Sequence, residues 1–187
     1  MAAELIKPEK LLWIDLEFTG LDPQKDVLLE IAAEVTDLDF KTLETYEARF
    51  KQSKSVVVER MQANIWWRDF PQNRDDFIHG LDSAKPPKEV EAEMINLVER
   101  HFDGQPAYLA GNTIHTDRQF IRRWLPALEL KLHYRMLDVS AWKILMQGKY
   151  GVFFEKKEVH RAFDDIQASI AELQHYLDFF KRSGGNN

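Results

Sequence analysis

Apolar positions come first in short unbroken runs and later at helical spacing. Leu11 to Leu16 is apolar apart from Asp15 and reads as a buried strand. Thr19-Gly20-Leu21-Asp22-Pro23 follows with the residues of a turn. Val27 to Asp37 predicts a second strand and Thr45 to Phe50 a third, and the short connections favour antiparallel pairing. From Met61 to Asp82 the chain becomes aromatic and charged, and short helices are expected there. Pro86-Pro87 punctuates.

The second half alternates. Pro87 to Phe102 places Val90, Met94, Leu97 and Val98 on one stripe of a helix. Ala107 to Ala110 is a short buried strand, followed by a helix from about Thr116 to Trp124 that stops near Pro126. Leu132 to Leu137 is a further strand, and Ser140 is placed to cap a helix over Ala141 to Gln147. Phe163 to Phe180 carries Ile166, Ile170, Leu173 and Leu177 at helical spacing. Strands followed by strand–helix alternation imply an α/β fold, a mixed five-stranded sheet flanked by helices. The expectation is one domain over residues 1–182 with a flexible tail at 183–187.

Composition narrows the picture. No apolar run approaches the ~20 residues that span a bilayer, and the start MAAELIKPEK lacks the apolar core of a secretory signal. With no cysteine, disulfides and thiolate metal sites are excluded. A cytoplasmic location without membrane attachment is expected. The formal net charge of −6 argues against an extended basic grip on long nucleic acid. The doublets Lys156-Lys157 and Arg122-Arg123 read as solvated faces.

The acidic residues carry the candidate chemistry. Asp15 and Glu17, two apart on a strand, point to one face. A carboxylate within an apolar run is costly unless it is paired or metal-bound, and hard divalent cations take such oxygen donors. Alternatively, the pair ends the strand near solvent. Asp117 sits near a helix start, where the helix dipole alone would favour it. His160 and Asp165 lie five apart at the entrance to the last helix. The spacing puts the histidine on a loop, with a ring suited to general-base work, and the acid on the helix.

In order, Asp-x-Glu, Asp and His-x4-Asp resemble the DEDDh 3′-to-5′ exonucleases, and within them the oligoribonuclease family. The stretches that carry the resemblance are WIDLEFTGLD, LLEIAAEVTD, AGNTIHTDRQFI, LHYRMLDVS and HRAFDDIQASIAEL, most of the chain in family order. The resemblance implies an RNase H-like fold, a homodimer, and two Mg²⁺ or Mn²⁺ ions held by Asp15, Glu17, Asp117 and Asp165. It implies His160 as general base and removal of 5′ mononucleotides from very short single-stranded RNA, chiefly dinucleotides. Asp164 is left as a helix-start acid. Leu21 matches a wedge against the bases; Tyr134, Arg135 and Ser140 match a cap over the 5′ phosphate, with Asn112 and Thr113 adding polar contacts. Trp66 or Trp67 is placed to stack on a base, with core packing as the alternative for each.

One segment departs from the family pattern. The histidine that follows the family tryptophan by five residues is missing, since Pro71 and Gln72 stand there. Arg68 or Arg74 is the expected substitute. The departure keeps open a related exonuclease acting on longer single-stranded RNA or DNA; a rival of another class is a catalytically silent binding module, against which the intact acid set argues.

Overall fold

The structure, a computed structural model, describes residues 7–155 and 161–184. Five strands form one mixed sheet, β1 (Lys10–Phe18), β2 (Leu28–Asp37), β3 (Thr42–Arg49), β4 (Ala107–Gly111) and β5 (Leu132–Asp138), in the order β3-β2-β1-β4-β5. The first three pair antiparallel through short turns, whereas β1–β4 and β4–β5 are parallel. The helices are α1 (Lys54–Ala63), α2 (Trp66–Asp69), α3 (Pro71–Gly80), α4 (Pro87–Phe102), α5 (Ile114–Trp124), α6 (Pro126–Glu129), α7 (Val139–Leu145) and α8 (Ala162–Gly184). No described helix is long and apolar enough to cross a membrane.

The alternation of β1 divides the core. Leu12, Ile14 and Leu16 face one way, into a cluster with Val90, Met94, Leu97 and Val98 of α4 and Ile114, Phe120 and Ile121 of α5. Leu11 and Trp13 face the other way, against Ile166, Ile170 and Leu173 of α8. Asp15 and Glu17 continue that second row. A third cluster joins α1, α2 and α3 to the β2 end through Val27, Leu29, Val57, Met61, Trp67 and Phe77.

The expected five-stranded sheet and the helix over Pro87 to Phe102 are as read from the sequence. Other boundaries differ. The helical segment after β3 starts at Lys54 rather than Met61, because Val57 and Met61 together bury against Val27 and Leu29. Ser140 does not cap α7. Asp138 does, its carboxylate accepting the Ser140 N–H at 2.9 Å, and the helix runs on into a wide turn over Met146–Tyr150. The last helix reaches Gly184, and residues 185–187 lie outside the described ones.

Candidate active site

Three carboxylates meet at the carboxyl end of β1. Asp15, Glu17 and Asp165 each offer an oxygen, all within 4.8 Å of one another. Asp15 and Glu17 project from the α8 side of the sheet, and Asp165 stands in the first turn of α8, whose Ile166 and Ile170 pin it to that face. Asp117 arrives from α5. The last β1–β4 pair is Trp13 with Ala110, and beyond it the Leu16 N–H donates to Asp117 Oδ1 at 3.0 Å. Asp117 is buried, so the loss of water pushes its carboxyl well up, and Asp15 adds to the rise. Burial also pushes Glu17 up to about 8, helped by Asp15, Asp165 and Glu30, with Arg161 opposing. Such a donor set fits divalent cations bound by oxygen: clustered carboxylates that resist ionisation together are relieved by positive charge. His160 lies outside the described residues.

The turn after β1 is built rigidly. Thr19 is fully buried; its hydroxyl donates to Asp26 Oδ1 (2.9 Å) and accepts the Val27 N–H (3.1 Å). Asp26 Oδ2 accepts the Asp22 N–H (3.0 Å). Asn64 Nδ2 (3.1 Å) and Trp67 Nε1 (2.9 Å) both donate to the Thr19 carbonyl. The result presents Leu21 at 75% exposure. A cavity of about 350 Å³ opens beside it, lined by Glu17, Phe18, Gly20, Leu21, Asn64, Trp66 and Trp67. Its size is within the range of small-ligand sites.

The two tryptophans divide the alternatives. Trp67 is 1% exposed and packs edge-on against Phe77 at 5.8 Å, so it belongs to the core and shows the cavity little of its ring. Trp66 is half-buried and stacks on Phe70 at 4.4 Å. Neither Arg68 nor Arg74 lines the cavity; Arg74 pairs with its neighbour Asp75 at 2.9 Å.

The residues expected to meet a 5′ phosphate separate into two groups. Asn112, Thr113 and Ser140 come together between β4 and α7. Ser140 Oγ donates to Asn112 Oδ1 (3.1 Å), and the Thr113 N–H donates to Ser140 Oγ (2.9 Å) and to Asp138 Oδ1 (3.0 Å). The Asn112 amide gives its hydrogens to Ser169 Oγ (2.9 Å) and to Glu172 Oε2 (3.1 Å), which leaves Asn112 a template and Thr113 the exposed hydroxyl. Tyr134 and Arg135 lie earlier on β5, beside the shift in its register with β4. Tyr134 is 71% exposed, with the Arg135 guanidinium 5.2 Å over its ring. Among the described residues neither is hydrogen-bonded to Asn112, Thr113 or Ser140.

Reasoning on the sequence missed the residues behind these groups. Glu30 and Glu34, two acids set among the apolar residues Leu28 to Val35 of the second strand, were the available signal for polar contacts under α8. Glu34 receives Thr42 and Gln167, and Glu30 receives Arg49 and Arg161. Glu172 carried no such signal, since its spacing matches a surface position of α8.

Comparison with known proteins gives the family. The RNase_T exonuclease family model matches residues 12–173. The chain is 37% identical to an oligoribonuclease of Corynebacterium glutamicum, over 93% of this chain and 81% of that one. It is 36% identical to an oligoribonuclease of Pseudomonas paraeruginosa, over 92% and 97% respectively. Among solved structures, the zinc-bound complex of E. coli exonuclease I with single-stranded DNA superposes with a TM-score of 0.62 at 14% identity, covering 94% of this chain and 43% of that longer one. At that identity the likeness is one of fold.

Proposed function

Because the chain belongs to the RNase_T exonuclease family, and within it to the oligoribonucleases, we propose that this nuclease is a 3′-to-5′ exoribonuclease that hydrolyses very short RNA, chiefly dinucleotides, to 5′ mononucleotides. The observation that carries this reading is the meeting of Asp15, Glu17 and Asp165 within 4.8 Å, next to a cavity walled by Glu17, Leu21 and Trp66. Asp15, Glu17, Asp117 and Asp165 are the residues to hold two Mg²⁺ or Mn²⁺ ions. Such ions, when bound, supply the charge that makes water a nucleophile and offsets the leaving 3′ oxygen.

The chain's own residues do the rest. Asp117, fixed by the Leu16 N–H, keeps its donor oxygens against the strand end. Leu21 separates the two bases, and Trp66 lies along the wall to stack on the 3′ one, a contact of ~1–3 kcal/mol. The Thr113 hydroxyl, on the Asn112–Ser140 template, and the Arg135 fork meet the 5′ phosphate. His160 takes the proton of the attacking water; His160→Ala is expected to lower turnover by ~10²–10⁴ with folding intact, seen by steady-state cleavage and melting together. We read the protein as a cytoplasmic homodimer: Leu130, Tyr134 and Met136 leave apolar surface along the β5 edge, which a second copy covers. Sedimentation velocity tests this.

A second reading, hydrolysis of longer single-stranded RNA or DNA, draws on Pro71 and Gln72 standing where the family histidine is expected. Initial rates on two-, three-, five- and twenty-nucleotide RNA and DNA, with Mn²⁺, separate the two. Highest kcat/KM on the RNA dinucleotide supports the first, and highest on the twenty-mers supports the second. Absence of hydrolysis on every strand would favour a silent binding module.

A further inference from the structure

Four charged residues outside the carboxylate cluster form a closed set beside it. Glu30 lies directly opposite Glu17 on β2, and Arg49 directly opposite Glu30 on β3. Glu30 is 4% exposed, and a carboxylate so buried is costly unless it is paired or hydrogen-bonded; here the partners are cationic. It has two. Arg49 Nε donates to Glu30 Oε2 at 3.2 Å, and Arg161 Nη2 donates to the same oxygen at 3.2 Å. Two guanidiniums on one carboxylate leave a net positive charge. Asp76, on α3, removes it: Arg49 Nη2 donates to Asp76 Oδ2 at 2.5 Å and Arg161 Nη1 donates to it at 3.0 Å.

The set ties together three parts of the molecule. Arg161 precedes α8, and its carbonyl accepts the Asp165 N–H at 3.0 Å. Glu30 and Arg49 belong to the sheet. Asp76 belongs to α3, and its neighbour Phe77 lies under both guanidiniums, at 5.3 Å from Arg49 and 5.9 Å from Arg161. Phe77 in turn meets Trp67, which meets Trp66 at 4.5 Å. Gly80 completes the seat: a Cβ there would come within 2.1 Å of Arg49 Nη1. Its φ of −74° suits any residue, so close approach is what calls for glycine.

We propose that Glu30, Arg49, Asp76 and Arg161 form a strap that positions the tryptophan wall of the substrate cavity against the carboxylate end of β1. Asp76 is a positioning residue. It touches no substrate and acts by holding α3, and through Phe77 the Trp67–Trp66 wall, at the right distance from Glu17. Isolated exposed ion pairs contribute little, but a network closed on a buried carboxylate is held in one geometry. A wall displaced by even ~1 Å weakens the hold on a small substrate, which offers few contacts with which to compensate.

The inference rests on the reading of the site as one for short RNA, and its test uses the shortest RNA that the wild-type protein cleaves. Binding is measured with Ca²⁺ in place of Mn²⁺, to hold the substrate with little turnover. Asp76→Asn and Gly80→Ala are each expected to weaken that binding by ~5–10-fold. Asp76→Glu should restore it to within ~2-fold, because the second carboxylate returns. The Mn²⁺ midpoint for thermal stabilisation without RNA should stay at the wild-type value in all three. Gly80→Ala forces the Arg49 guanidinium to move without removing any charge, so a loss of affinity in it reports the displaced seat rather than a missing carboxylate. Wild-type RNA affinity in both Asp76→Asn and Gly80→Ala would overturn the strap while leaving the substrate reading in place, and so would a shifted Mn²⁺ midpoint with RNA affinity unchanged.

Discussion

The carboxylate end of β1 and the polar cluster around Glu172 are built on opposite principles. At the first, Asp15, Glu17 and Asp165 crowd together, and burial drives the Glu17 and Asp117 carboxyls upward. At the second, one carboxylate at 1% exposure receives the Tyr176 hydroxyl at 2.7 Å and the Asn112 amide at 3.1 Å, with Lys143 3.8 Å away. The first arrangement opposes itself until positive charge arrives, and the second is complete as it stands. The two carboxylate groups are thereby distinguished by their donor and acceptor balance: one calls for added positive charge and the other does not. Both stand in contact with α8, one at its first turn and the other two turns on.

The comparison breaks most severely at Asp117. Asp117→Asn keeps an acceptor for the Leu16 N–H but removes a carboxylate that a cation needs. Mn²⁺-dependent cleavage should be abolished, while melting in EDTA stays level or rises; retained turnover would remove Asp117 from the donor set. The pH dependence is the next largest effect. Glu17 is pushed up to about 8 from an ordinary 4.5, so in between the folded chain holds a proton that the unfolded chain has lost. Metal-free stability should therefore fall as pH rises from 4.5 towards 8. Cations need the ionised form, so stabilisation by Mn²⁺ should grow over the same window. Melting curves in EDTA and in Mn²⁺ across that range check both signs.

Smaller effects sharpen the contrast. Leu21→Ala removes an exposed side chain, so stability should stay within ~0.5 kcal/mol. Affinity for short RNA should fall by ~10-fold, as one base loses a face to pack on, and titration with Ca²⁺ present measures it. Glu172→Gln acts in reverse: it should cost ~1–3 kcal/mol of stability by chemical denaturation, since a buried charged acceptor is lost, with turnover nearly unchanged. A collapse of turnover there, at wild-type stability, would place Glu172 among the reacting groups.

Much of the architecture was readable from local pattern. The alternation at Leu11 to Glu17 already separated Trp13, Asp15 and Glu17 from Leu12, Ile14 and Leu16, because neighbouring residues of a strand must face opposite ways. The stripe of Val90, Met94, Leu97 and Val98 gave the buried face of α4, and Asp15 and Glu17 stood out by their placement beside an apolar run, whereas Asp117 and Asp165 were picked out by the resemblance. Those features depend on a residue and its near neighbours in the chain.

What tertiary structure decided depends on residues far apart in sequence. Trp66 and Trp67 are equivalent on paper; Phe77 and the Thr19 carbonyl send the second into the core and leave the first at the cavity. Asp138 caps α7 because it also accepts the Thr113 N–H from across the sheet, which favours it over Ser140. The register shift between β4 and β5 falls at Tyr134 and Arg135, which, among the described residues, make no hydrogen bond to Ser140 although the three are close in sequence. The quartet of Glu30, Arg49, Asp76 and Arg161 draws on four separate segments. A chain's periodicity reports which side of an element is apolar, and long-range contact alone determines which polar groups meet once those sides are buried.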